Sequence, residues 1–197
     1  MRTILAIGAH FDDIEIGIGG TLFRHIDSGD TVYLAVLYSD EFRTGNVNDR
    51  LLEQYESMKL LDIPKNFLVV MTSNDNHPDI VHKLDRISPD VIYVPYEYDT
   101  HQDHQRCSRV GRSVGRKSHI TTLFYGGASV QNFHPIVFIN IDFDKKLDLL
   151  NCYKSQIQRG AINIDRIEKR EHYWGTMISN KECYAEGFMV HKMEIII

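Results

Sequence analysis

Cysteine is scarce in this 197-residue chain. Cys107, Cys152 and Cys183 are scattered, odd in number and form no CxxC pair. That argues against a disulfide framework and for a reduced, cytoplasmic protein. Runs of basic residues are missing too, and the net charge is −5 at pH 7. The chain therefore carries no electrostatic footprint for nucleic acid. No apolar stretch is long enough to span a bilayer. The opening MRTILAIGAH is short and has no small-residue cleavage site, so it reads neither as a membrane anchor nor as a signal peptide. There is no internal repeat, low-complexity tract or linker, which points to a single domain over residues 1–197, large enough to bury a sizeable core. The dinucleotide fingerprint G-x-G-x-x-G is absent. Gly17, Gly19 and Gly20 fall inside a helical pattern, where close packing on a sheet is the better reading than phosphate cradling.

What is present is an alternation of apolar runs and helical patterns. TILAI at 3–7 reads as a buried parallel strand, followed by a helix from Asp13 to about Ser28 that Gly29-Asp30 ends. TVYLAVLY at 31–38, FLVVM at 67–71 and VIYVP at 91–95 are the next strands. Between them lie a polar loop at 39–49, a helix over roughly 50–61 with Asp49 as its N-cap, and a helical stretch at 79–88. Asp103 begins another helix, to about 116. Further on, TTLFYGG, PIVFINI and the tail around 184–196 are strand-like, and 144–157 and 163–173 look helical. This order predicts an α/β fold, a Rossmann-like, doubly wound, mostly parallel sheet flanked by helices.

The chemistry concentrates in two clusters. His10, Asp12, Asp13 and Glu15 follow the first strand; His101, Asp103 and His104 follow the fourth. Imidazole and carboxylate in such company suit a divalent metal, most often zinc, and a spare carboxylate beside three ligands suits water activation. In a sheet ordered 3-2-1-4-5, strands 1 and 4 are neighbours at the switch point, where ligands collect beyond the strand carboxyl ends. The clusters, some ninety positions apart, meet only in that fold. Blander readings exist for each residue alone: Asp12 or Asp13 as a helix N-cap, and a lone histidine as a surface or core residue.

On these residues a resemblance rests. GAHFDDIEIGIGGTL is similar to the AHPDDxExGxGG signature of the PIG-L/LmbE family of zinc-dependent N-deacetylases. THQDH resembles its HxDH motif, RLLEQYESMKLLDI its R-x-x-E helix, and CYKSQ and YAEGF its C-terminal landmarks. The resemblance implies that His10, Asp13 and His104 bind the metal, Zn2+ or alternatively Fe2+, and that Asp12 is the general base. It also implies that His101 stabilises the oxyanion or protonates the leaving amine, that Asp103 orients a histidine, and that Arg50 anchors substrate hydroxyl or phosphate groups. Glu15 braces the loop or faces the helix dipole. Two positions depart from the pattern. Phe11 replaces the usual proline, which frees φ at that turn. Asp99 stands where some members carry a tyrosine, so that assistance to the oxyanion is in doubt.

The expectation that follows is hydrolysis of an N-acetyl group from an amino sugar or its conjugate, giving acetate and a free amine. Rivals are another N-acyl (formyl or fatty-acyl) amidohydrolase and a non-catalytic nucleotide-binding module. The resemblance and the apolar residues Phe133, Ile136 and Trp174 in the last third suggest a trimer or hexamer. Cys107 reads as a small buried residue rather than a ligand. His77, His82, His119, His134 and His172 read as surface or loop residues. His191, Arg43 and Asn46 are open between substrate contact and plain solvation.

Overall fold

A computed structural model describes residues 1–41, 45–117, 119–127, 132–179 and 181–194. Seven strands form one sheet: β1 (Thr3–Gly8), β2 (Thr31–Val36), β3 (Leu68–Val70), β4 (Val91–Pro95), β5 (Thr121–Tyr125), β6 (Val137–Ile141) and β7 (Tyr184–Lys192). Their order is β3-β2-β1-β4-β5-β7-β6. The pairings along β3-β2-β1-β4-β5 are parallel; β7 runs antiparallel to both β5 and β6. The helices are α1 (Asp13–Asp27), α2 (Val47–Leu60), α3 (His77–Asp85), α4 (Gln102–Val114), α5 (Phe143–Cys152), α6 (Lys154–Gln158) and α7 (Ile164–Thr176). The α/β class and the central strand order follow the sequence expectation.

β1 lies at the middle of the sheet and is apolar on both faces, as a strand covered by helices on both sides must be. Ile4 and Ala6 join a core with Ile14, Ile18 and Leu22 of α1. Leu5 and Ile7 point the other way, into a core with Ile80 and Leu84 of α3 and Val110 and Val114 of α4. The period-2 alternation of one strand thus divides its side chains between two layers. Gly17 and Gly20 let α1 sit down on the sheet. A Cβ on Gly17 would fall 2.2 Å from the Tyr125 ring, and one on Gly20 2.6 Å from Ile141.

Several boundaries differ from expectation. α2 starts at Val47, and its N-cap is Asn46, whose side chain accepts from the amides of Asn48 (2.9 Å) and Asp49 (3.4 Å). Asp49 is instead a first-turn acid, favourable toward the helix dipole. α4 begins one residue early, capped by His101. The stretch expected as one helix over 144–157 breaks at Tyr153 (φ −89°, ψ 56°), which turns its ring into the core. β3 is a three-residue edge strand preceded by a 3₁₀ turn at Lys65–Phe67. Of the three apolar residues read as assembly candidates, Trp174 is buried and Phe133 partly so; only Ile136 is exposed.

α1 is bent. Ile18 (φ −142°, ψ 18°) interrupts the helix, freeing the Ile16 carbonyl and the amides of Gly20 and Thr21. Buried charges from distant segments take up these groups. Glu186 of β7 accepts from Gly20 N (2.9 Å) and Thr21 N (2.7 Å). Lys146 of α5 donates to Ile16 O (3.0 Å), Glu171 (2.5 Å) and Glu186 (2.6 Å), all three side chains being fully buried. Arg170 of α7 also donates to Ile16 O (3.0 Å). The bend in the helix is therefore bridged by side chains of α5, α7 and β7.

Candidate active site

The β1–α1 turn carries the first cluster. Ala9 and Gly8 are tied to the segment after β2 by Tyr38 N→Ala9 O (2.8 Å) and Leu37 N→Gly8 O (3.1 Å). Phe11 is buried against Phe143, Leu150 and Tyr153, so packing anchors the turn where the family has proline. Asp12 sits at φ 113°, ψ −30°, a region that side-chain-bearing residues rarely occupy. Such a conformation costs on the order of 1–3 kcal/mol and persists only where its surroundings enforce it. Here Arg50 supplies part of that enforcement: its Nη2 donates to Phe11 O (2.5 Å) and lies 3.4 Å from Asp12 Oδ1. Arg50 is nearly fully buried and its guanidinium serves this turn. Glu15, buried, accepts from Gln54 (2.8 Å) and Ser57 (2.7 Å) and so braces α2 against α1.

β4 ends beside β1, and α4 brings the second cluster to the same crevice. Asp13 Oδ2 accepts from Ala9 N (3.0 Å) and His10 N (2.8 Å), and lies 3.4 Å from His10 Nδ1 and 3.2 Å from His104 Nε2. Burial would raise the Asp13 carboxyl, but the charge of His104 and hydrogen bonds from His10 and His104 hold it well below the usual carboxylate range. Asp12 goes the other way: burial and the neighbouring Asp13 charge push it up to about 8. Burial opposes protonation of His104, yet Asp13 and Asp99 raise it to about 11 in the metal-free chain. His101 is lowered, by burial and then by the other two imidazoles.

The structure brings His10, Asp12, Asp13, His101, Asp103 and His104 together. The imidazoles of His10 and His101 are 5.0 Å apart, and those of His101 and His104 4.9 Å. Asp103 Oδ2 is 3.5 Å from His10 Nε2 and 3.9 Å from His101 Nδ1, and Oδ1 takes Arg106 at 3.1 Å. His101 caps α4: its Nδ1 accepts from Asp103 N (3.2 Å). The proton of a neutral His101 is then on Nε2.

Asp99 is the residue whose part sequence reading missed. It is buried; Oδ1 accepts from His101 N (2.9 Å) and Oδ2 pairs with His104 Nδ1 (2.9 Å), which leaves His104 Nε2 toward Asp13. An acid two residues before the H-x-D-H motif is the signal that was available. Asp99→Ala is expected to lower affinity for a divalent ion by about 10–100-fold while the fold survives. Equilibrium dialysis against zinc, with circular dichroism as control, checks it.

His191 is exposed, its ring 5.4 Å from Phe124. Asn46 is occupied as a cap, and Arg43 lies outside the described residues. Cys107 is buried in the core. Among the described residues, no helix is long and apolar enough to cross a membrane.

The side chains fit a divalent ion. His10, Asp13 and His104 each offer a ligand atom, all within 4.8 Å of one another, and His10 Nε2 is buried with no hydrogen-bond partner. A second grouping, His10, His101 and Asp103, satisfies the same spacing and shares His10. Two nitrogens and a carboxylate oxygen are a donor set for zinc or Fe(II).

A family model described as PIG-L, GlcNAc-PI de-N-acetylase, matches residues 5–114, more than half of the chain. The chain belongs to the PIG-L family. YaiS of Escherichia coli strain K12, an uncharacterized deacetylase, is 28% identical over 177 residues, covering 78% of this chain and 91% of that protein. The N,N′-diacetylchitobiose deacetylase of Pyrococcus horikoshii superposes with a TM-score of 0.78 at 20% identity, covering 96% of this chain and 83% of that one. The 4-carboxy-2-hydroxymuconate hydratase GalB of Pseudomonas putida KT2440 superposes with a TM-score of 0.80 at 14% identity, over 100% and 99% of the two chains. The same fold thus carries a deacetylase and a hydratase, so the fold by itself does not choose a reaction. Membership of the PIG-L family places this chain with the deacetylases.

Proposed function

We propose that this PIG-L protein is a metal-dependent N-deacetylase acting on an N-acetylated amino sugar or amino-sugar conjugate. The observation that carries the reading is a further acid beside a ligand triad. Asp12 lies next to His10, Asp13 and His104 but takes no part in their grouping, and its backbone is held in a rare conformation. Bound at His10, Asp13 and His104, zinc or Fe(II) would supply Lewis acidity toward the amide carbonyl and lower the pKa of water.

The chain's own groups divide the remaining work. Asp12 takes a proton from the attacking water. It then returns that proton to the departing amine. His101 is nearly half exposed and presents Nε2–H, a donor for the negative charge that develops on the acetyl oxygen. Asp99 sets the orientation of His104 from behind through Nδ1, and Asp103 lies beside His10 and His101. Arg50 keeps the Asp12 turn in place. The products are acetate and a free amino sugar.

A panel of N-acetyl, N-formyl and longer N-acyl glucosamines, assayed for released acid and free amine, tests the substrate class; no release from any of them, with either metal, refutes it. Purified protein is expected to hold about one divalent ion per chain, and a strong chelator to abolish turnover. Unchanged metal content in a His10→Ala, His104→Ala double variant would remove the ligand assignment. We also expect a trimer or hexamer, which light scattering showing a stable monomer at micromolar concentration would refute.

A further inference from the structure

Two side-chain groupings could hold an ion, and they compete for one residue. His10, Asp13 and His104 form the first; His10, His101 and Asp103 form the second. His10 faces both carboxylates, one with each ring nitrogen. Nδ1 is 3.4 Å from Asp13 Oδ2, and Nε2 is 3.5 Å from Asp103 Oδ2. A neutral imidazole has one lone-pair nitrogen, so His10 can serve only one grouping at a time. The carboxylate that does not share the ion is left to accept the other N–H.

The surroundings of the two acids are unequal. Asp13 Oδ2 is aimed by the amides of Ala9 (3.0 Å) and His10 (2.8 Å), and among the described residues no lysine or arginine pairs with it. Asp103 has such a partner: Arg106 Nη1 lies 3.1 Å from Oδ1. The same guanidinium stands over the ring of Tyr38, 6.0 Å from its centroid. His101 Nδ1, which is 3.9 Å from Asp103 Oδ2, already accepts the Asp103 amide as the cap of α4. A cavity of about 290 Å³ reaches Asp103 from the solvent side. Asp40 and Glu41 line it too, so it would attract a divalent ion; Arg106 is the one cation among its described lining residues.

The geometry points to Arg106 as the residue that selects between the two groupings. Its charge offsets that of Asp103 and repels a cation there, while Asp103 Oδ2 can still accept Nε2–H of His10. The ion is thereby directed to His10, Asp13 and His104. Arg106 is a positioning residue that acts through Asp103. The inference rests on the metal reading above and not on which amide is cleaved.

The test is zinc affinity by equilibrium dialysis, which needs no turnover. Asp13→Asn and Asp103→Asn are each made in the wild-type chain and in Arg106→Gln. In the wild-type chain Asp13→Asn is expected to cost at least about 10-fold more affinity than Asp103→Asn. In Arg106→Gln the cost of Asp103→Asn should rise by about 10–100-fold, because the ion is no longer repelled from that carboxylate. Arg106→Lys should restore the wild-type order, since the ammonium keeps the charge. The Arg106 side chain is more than half exposed, so the fold should survive these changes, with circular dichroism as control. An unchanged cost of Asp103→Asn in Arg106→Gln overturns the role of Arg106 and leaves the ligand assignment standing. Asp103→Asn costing more than Asp13→Asn in the wild-type chain overturns both. The expected shift, with no acid released from any N-acyl sugar, would refute the proposed reaction and leave the role of Arg106 standing.

Discussion

Asp12→Asn is expected to keep its metal and its fold and to lose about 10²–10⁴-fold in kcat, the span of a positioned general base. The two neighbouring acids are made unequal by their surroundings. Asp13 accepts two backbone amides and faces two imidazoles, so it stays ionised. Asp12 faces the Asp13 charge from a buried position and is pushed up to about 8. Two titratable groups driven apart in this way mark which one carries protons and which one carries charge. Asparagine at position 12 preserves volume and tolerates the positive φ better than most residues, so the protein should melt where the wild type does. Asp13→Asn, in contrast, removes the ionised member of the triad and should weaken metal binding, with activity partly recovered at high metal concentration. Measuring kcat, KM and bound metal for both variants decides the roles. If Asp12→Asn lost the metal and Asp13→Asn lost only turnover, the roles would be exchanged. Full activity in Asp12→Asn would end the mechanism proposed here.

Lys146→Met is expected to destabilise the protein by about 3–5 kcal/mol, the cost of leaving a buried charge without its partner. For a chain of this size that corresponds to a melting temperature lower by about 6–20 °C. The ammonium lies between Glu171 and Glu186, with all three side chains out of contact with water. Burial already raises Glu171, with the charges of Lys146 and Arg170 acting against it. Without the lysine, the two carboxylates face each other in the core. Glu186 cannot leave, because both its oxygens hold amides freed by the α1 kink. Adding Glu171→Gln to Lys146→Met should recover part of the loss, since it removes one of the two stranded charges. Thermal melts of the single and double variants test this; a shift below about 1 kcal/mol in the single variant would show that the network contributes little to stability.

Much of the site was legible in the chain because its chemistry is written locally. His10, Asp12 and Asp13 stand at one strand-to-helix turn, and His101, Asp103 and His104 at another. Strand and helix periodicity, short connections and the rule for crevices at strand carboxyl ends were enough to put the two turns side by side. The register of β1 on β4 bears out that neighbour relation. The closing helices and strands were less readable. α5 and α6 share one apolar pattern, and only the core position taken by Tyr153 breaks them apart.

Tertiary structure decided what depends on partners far along the chain. Arg50 reaches 38 residues back to Asp12 and bonds to the Phe11 carbonyl of that turn, contacts that its place in α2 alone does not announce. Asp99, only five residues before His104, is by contrast a local partner. Lys146, Glu171 and Glu186 come from α5, α7 and β7 to repair a bend in α1, and nothing in their local patterns marks them as partners. Local sequence determines which residues can ligate, cap or donate, because backbone periodicity sets neighbours within a turn or a strand. It does not determine which buried charge meets which orphaned backbone group. That is settled by the energetic demand that every polar group taken out of water find a partner, wherever along the chain the partner lies.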